Sequence, residues 1–225
     1  MGNPVVMLSP VLGRPTRARQ PLAVLLAALV LTTPCFAQEP LDEPAALQGK
    51  GVTLYAGYQF GGAFTDQASR QSIGLREGGS YGASLDIPLD GSSELQVFYN
   101  HQSTVFTPWP YPNSSDQLQL DYLHIGGTYF PDDLGRGLYV MGGVGATRMS
   151  PDAAGLNPAT KLSMNVGVGY LLPVSKNVGV RFEARGFFTA VGGYTAVFCS
   201  GGCVASLAAS AVSQGDILIG ISGRL

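Results

Sequence analysis

From residue 51 onward the chain alternates apolar and polar positions with a period of two. Val52, Leu54, Ala56, Tyr58 and Phe60 interleave with Thr53, Tyr55, Gly57 and Gln59. Leu95, Val97 and Tyr99 interleave with Glu94, Gln96, Phe98 and Asn100. Leu162, Met164, Val166, Val168 and Tyr170 interleave with Ser163, Asn165, Gly167 and Gly169. Counted this way there are eight runs, the last carrying Ile217, Ile219, Ile221 and Leu225 on one phase. Alternation of this length marks half-buried strands. The links between runs take turns in length. Residues 90–93, 131–135 and 173–177 are tight and rich in Asp, Gly, Pro and Ser. Residues 61–79, 103–117, 149–160 and 190–215 are long. Short turns at one end and long loops at the other are the rhythm of an up-and-down transmembrane barrel. The expected fold class is therefore all-β, an eight-stranded antiparallel transmembrane β-barrel with both termini on the short-turn side.

Charge decides which face of such a barrel meets solvent. Only 12% of the residues are charged, against about 25% in an ordinary soluble domain. A water-facing carrier barrel with an apolar interior would need charges along its outer phase. Here the non-apolar phase is mostly Gly, Ser, Thr, Asn, Gln and Tyr, which suits a crowded lumen filled by side chains. The apolar phase then faces lipid. Tyr58, Phe60, Tyr81, Tyr99, Tyr129, Tyr170 and Phe188 are placed to form interfacial girdles. With 13 Lys+Arg against 15 Asp+Glu, a basic nucleic-acid surface is excluded.

The first 37 residues differ in kind. Arg14, Arg17 and Arg19 precede an apolar run over 22–31, and Cys35-Phe36-Ala37 closes it with small residues three and one positions before Gln38. That is the layout of a secretory signal peptide, and the run is short for a retained helix. Pro34 ahead of Cys35 argues against a lipid-modified cysteine. The expected division is 1–37 signal peptide, 38–50 periplasmic tail and 51–225 barrel. Export by the Sec route follows from it. Removing 1–37 takes three Arg and no acid, so the mature balance is 10 basic against 15 acidic, a net −5. Cys199 and Cys203 then remain, and two cysteines in an oxidising compartment are read as one disulfide.

Several stretches resemble the small porin-like outer-membrane barrels of Gram-negative bacteria, the OmpA-type and OmpW-type group. They are Asp121-Tyr122-Leu123-His124-Ile125-Gly126-Gly127-Thr128-Tyr129, Met141-Gly142-Gly143-Val144-Gly145-Ala146-Thr147-Arg148 and Arg181-Phe182-Glu183-Ala184-Arg185-Gly186. The resemblance covers about residues 50–225 and describes a barrel rather than an activity. It departs at the last position, Leu225, where that group usually carries an aromatic read by the assembly machinery. It implies an outer-membrane location, with membrane lipids, lipopolysaccharide and the barrel assembly machinery as partners. The OmpW side of the group also implies a narrow conduit for small, apolar solutes.

Candidate chemistry is sparse. Arg181, Glu183 and Arg185 share the lumen phase of one strand, with Asp86, Glu94, Asp216, Arg224 and His124 available on others. Charges in so narrow a lumen must pair, since unpaired burial is costly. A salt-bridged plug is the expectation, with a polar gate as its alternative. His101-Gln102-Ser103 resembles the His-x-Ser of outer-membrane lipid A deacylases. It lacks the Asn-Ala-Gly continuation and the Glu of that family, lies at an expected strand end, and has Asp116 as the first acid that follows it. Gly142-Gly143-Val144-Gly145 lacks the Lys-Ser/Thr of a phosphate loop. No cofactor and no metal site are expected. The expected function is non-enzymatic: a structural or surface-interaction role through the external loops. A narrow channel is the alternative, and lipid A modification ranks behind both.

Overall fold

A computed structural model describes residues 46–66, 70, 72–107, 116–152, 156–191, 207–208 and 211–225. Its strands, in chain order, are β1 (Gly51–Gly61), β2 (Ala63–Asp66), β3 (Ser72–Leu75), β4 (Gly78–Pro88), β5 (Ser93–Thr107), β6 (Gln117–Tyr129), β7 (Gly137–Pro151), β8 (Ala159–Pro173), β9 (Val178–Ala190), β10 (Leu207–Ala208) and β11 (Ala211–Arg224). Eight of them, β1, β4, β5, β6, β7, β8, β9 and β11, pair antiparallel in a ring. The ring closes where β1 pairs with β11, from Gly51 opposite Arg224 to Gly61 opposite Gln214. Closure satisfies the backbone polar groups of every strand, which a membrane-spanning sheet requires. Among the described residues there is no helix.

The fold class is the expected one, but the strands run past the ends set by the alternation. β5, β7 and β8 have 15 residues each, about 50 Å of strand at about 3.3 Å per residue. At a tilt near 45° that is about 35 Å of height, more than an apolar band of about 25 Å. The surplus rises on the loop side. There β2 and β3 form a hairpin inside what the sequence offered only as a long link, and β3 pairs with the end of β5 through Gly74–Thr107 and Leu75–Phe106. β10 adds to β2.

The two phases separate as physical expectation requires. Leu54, Tyr58, Tyr81, Leu123, Ile125, Val144, Leu162, Val168, Tyr170, Ile217, Ile219 and Ile221 stand exposed on the outside. Tyr58, Phe60, Tyr81 and Phe188 lie toward the loop end of their strands, Tyr129 and Tyr170 toward the turn end, and Tyr99 near the middle of β5. Aromatic rings at both boundaries of an apolar band are the belts expected at a lipid–water interface. The inward phase is buried and layered. Tyr55, Phe98, Tyr122, Phe187, Leu118, Phe106 and Phe64 belong to an apolar cluster on the loop side of the lumen. Leu47, Phe130, Tyr139, Met141 and Leu171 form a second one at the turn end.

Small residues make room for large ones in so tight a ring. A Cβ on Gly169 would fall 2.4 Å from the Tyr139 ring, and one on Gly220 would fall 2.7 Å from the Tyr55 ring. At the turn end the segment before β1 folds back into the mouth. Leu47 is fully buried, and its N–H donates to the Gly135 carbonyl at 3.1 Å. Gly135 has φ +83°, and a Cβ there would meet the Leu47 carbonyl oxygen at 1.8 Å, so only glycine fits. In the β4–β5 turn, Asp90 accepts the Ser92 N–H at 2.8 Å, which holds its carboxyl below the usual range.

Candidate functional site

Two clusters of polar chemistry stand out, one inside the wall and one outside it. The inner one is built on β9, whose alternation sends Arg181, Glu183 and Arg185 inward while Phe182 and Phe188 face outward. Arg181 reaches Asp86 of β4 and Glu94 of β5, each at 3.3 Å, and lies 4.0 Å from Glu183. Arg224 closes the far side, 2.7 Å from Glu94. Arg185 pairs with Glu183 at 2.6 Å, donates to Gln96 at 2.8 Å and lies 3.7 Å from the centre of the Phe98 ring. Glu183 also accepts the hydroxyls of Tyr55 at 2.8 Å and Tyr139 at 2.7 Å. Asp86 accepts from Gln96 at 2.7 Å and Ser84 at 3.0 Å.

These groups come from six strands, β1, β4, β5, β7, β9 and β11, so the cluster ties the ring across its diameter as well as around it. Asp216 lies apart from the arginines in its hydrogen bonding, accepting from Ser80 at 3.0 Å and Asn100 at 2.9 Å. His124 is inside the lumen but bonds Ser163 at 2.8 Å, stacked near Tyr122 and Phe187. It belongs to the aromatic layer rather than to the ion pairs. Tyr122 in turn donates to Gln214 and accepts from Gln59 at 3.1 Å.

The outer cluster was not assembled by sequence reasoning. His101 does not end its strand, because β5 continues to Thr107 through pairing with β6 and β3. Its acid is not Asp116 but Asp121, which sits directly opposite His101 in the β5–β6 register. His101 Nδ1 lies 2.8 Å from Asp121 Oδ1, and Nε2 lies 3.2 Å from Ser103 Oγ. The Tyr99 hydroxyl donates to the same Asp121 oxygen at 2.8 Å, and the Tyr81 ring lies 4.9 Å from the imidazole. The clue available in the sequence was phase: counting back from Ile125 and Leu123 places Asp121 on the lipid-facing set. A carboxylate there needs a partner.

Cys199, Cys203 and Trp109 lie outside the described residues. Among the described residues no group of three His, Cys, Asp or Glu side chains is placed to hold a metal ion. Short of the walls, the cavities lie at the barrel ends. One of about 530 Å³ opens at the turn side beside Gln48, Pro88 and Arg136, and one of about 300 Å³ lies beside Ser103 and Arg76.

No protein-family model matches this chain, and no curated protein does. Among solved structures, it is similar to Neisserial surface protein A with a TM-score of 0.50 and 16% identity, over 79% of this chain and 98% of that one. It is similar to the outer membrane protein AlkL with a TM-score of 0.50 and 13% identity, over 83% of this chain and 96% of that one. The ring of eight antiparallel strands, the apolar outer phase and these two likenesses agree: the chain has the fold of the small eight-stranded outer-membrane β-barrels.

Proposed function

We propose that this protein is an exported outer-membrane barrel of a Gram-negative envelope that passes no solute and works through its outside. In this reading residues 1–37 are removed on export by the Sec route, and 38–50 face the periplasm. The apolar wall is held by outer-membrane lipids and lipopolysaccharide, the assembly machinery inserts it, and the external loops meet surface partners. A bridge between Cys199 and Cys203 would shape the tip of the longest loop.

The filled lumen is the observation that supports this reading most. An ion entering from the loop end must displace Phe98, Tyr122 and Phe187, all buried. It must then part Arg181 from two carboxylates, with both sides of each pair fully buried. Breaking buried pairs costs several kcal/mol, and an interior of eight strands is only wide enough for side chains. The name of Neisserial surface protein A agrees with a surface role.

Purified full-length protein in a planar lipid bilayer is expected to show no unitary current steps. Discrete steps whose size or selectivity changes with Arg181→Ala would replace this reading with the narrow channel.

A further inference from the structure

We infer that the loop-side lumen holds one monovalent alkali cation, bound by Asp216 together with the side-chain oxygens of Asn100 and Gln59. This goes beyond the surface role proposed above, which does not depend on it, and it departs from the expectation of no metal site.

The charge inside the barrel does not balance without such an ion. Among the described residues, the buried acids of the lumen are Asp86, Glu94, Glu183 and Asp216, against Arg181, Arg185 and Arg224. Asp86, Glu94 and Glu183 each pair with an arginine within 3.3 Å. Asp216 has no such pair among the described residues. Arg185 stands opposite it in the β9–β11 register but is turned to Glu183 and Gln96. His124 does not make up the difference. An imidazolium donates from both ring nitrogens, and His124 Nδ1 is buried with no partner among the described residues. A buried charge is paired or coordinates a metal, because leaving it alone in an apolar interior is too costly.

The oxygens for a cation are already gathered. The Ser80 hydroxyl donates to Asp216 Oδ1 at 3.0 Å, and Asn100 Nδ2 donates to Oδ2 at 2.9 Å. A carboxylate whose two oxygens both accept has the pattern of the ionised form, with further lone pairs to spare. The same Asn100 nitrogen lies 3.4 Å from Gln59 Oε1. Asn100 is fully buried, yet its Oδ1 has no partner among the described residues. Two inward glycines of the β1–β4 ladder make room for these atoms. A Cβ on Gly57 would fall 2.7 Å from Asp216 Oδ1, and one on Gly82 would fall 2.9 Å from Asn100 Oδ1. The donors are in use, since Ser80 serves Asp216 and Gln59 Nε2 serves Tyr122. What is left over around Asp216 is acceptor oxygen. Turning the Asn100 amide over brings its oxygen between Asp216 and Gln59. Three oxygens then converge, and only a cation among them makes that arrangement favourable.

Chemistry and charge select the ion. Carboxylate, amide and hydroxyl oxygens are hard ligands, suited to alkali and alkaline-earth ions rather than to zinc or copper. One positive charge brings the lumen to neutrality, whereas a divalent ion would reverse the imbalance. Calcium also takes about 6–8 oxygens, more than Asp216, Asn100, Gln59 and Ser80 supply. The ligands come from β1, β4, β5 and β11, so the ion is bound by the closed ring and not by the unfolded chain.

The test is urea unfolding of the full-length barrel from lipid vesicles, in sodium or potassium chloride diluted with N-methylglucamine chloride at constant ionic strength. The heat-dependent gel shift checks that each variant is folded. For the wild type the folding constant is expected to rise about tenfold for each tenfold increase in the preferred ion, once the site begins to fill. Asp216→Asn is expected to abolish that dependence. Asn100→Ala, which keeps the carboxylate, is expected to move it to higher salt, and this variant decides the matter if Asp216→Asn does not fold. A wild type indifferent to both salts overturns the ion, as does a response that persists unchanged in folded Asp216→Asn or in Asn100→Ala. Stability that ignores both salts and rises on acidification, in the wild type and not in Asp216→Asn, gives the position to a proton and overturns the ion as well. A larger response to magnesium than to either alkali salt overturns the monovalent assignment.

Discussion

Arg181 is the residue on which the lumen turns. Its side chain is fully buried between Asp86 and Glu94, themselves fully buried. Arg181→Met would leave both carboxylates without their central cation, a loss of about 3–5 kcal/mol. The measurement is the midpoint of urea unfolding from lipid vesicles, and the combination with Asp86→Asn and Glu94→Gln is expected to recover most of it. Tyr139 and Tyr55 account for two of the inward glycines: each ring occupies the volume a Cβ on Gly169 or Gly220 would take. Asp121 shows the opposite economy. A charge on the lipid-facing phase is kept by three partners, His101, Tyr99 and the facing Arg148.

Elements carry their information in phase and in register, and only phase could be read from the sequence. The alternation around Leu95, Val97 and Tyr99 placed Glu94, Gln96, Phe98 and Asn100 inside, where they are buried. It also put Ile219 on the lipid side, at 51% exposure. Ile219→Lys near mid-height is accordingly expected to lower stability in vesicles by about 2–4 kcal/mol. Register was hidden, because it depends on turn geometry and strand tilt rather than on side-chain period. That is why Asp121, twenty positions from His101, was passed over in favour of Asp116, which is nearer in sequence. The β2–β3 hairpin escaped notice for another reason. Four-residue strands give too few alternations to rise above a link. Leu47 escaped because nothing in a polar, proline-containing tail distinguishes an anchoring leucine from an exposed one. Burying such a side chain contributes about 2 kcal/mol, so Leu47→Asp should free the tail roughly 30-fold more often. Trypsin cleavage after the exposed Lys50, followed by mass, should speed up by that factor while the barrel stays folded.

At the scale of the whole molecule the two ends are unlike. The turn end is closed by short links and by Leu47 with Phe130, Tyr139, Met141 and Leu171. The loop end is extended by strands that outgrow the membrane and is covered from within by Phe64, Phe106 and Leu118. The contact between His101 and Asp121, with Tyr81 and Tyr99 beside it, belongs to that taller side, on the wall rather than at the mouth. The seam between β1 and β11 has a consequence in time as well as in space. β1 is made early and its second neighbour comes last, more than 150 positions later. One row of its amide and carbonyl groups therefore has no mate until β11 has been made. No partial chain can be sealed, and an unsealed sheet is both a template for aggregation and intolerable in lipid. The ring is therefore a late event in the life of the chain: until β11 reaches β1 the sheet is open, and only with that pairing can all eight strands face lipid.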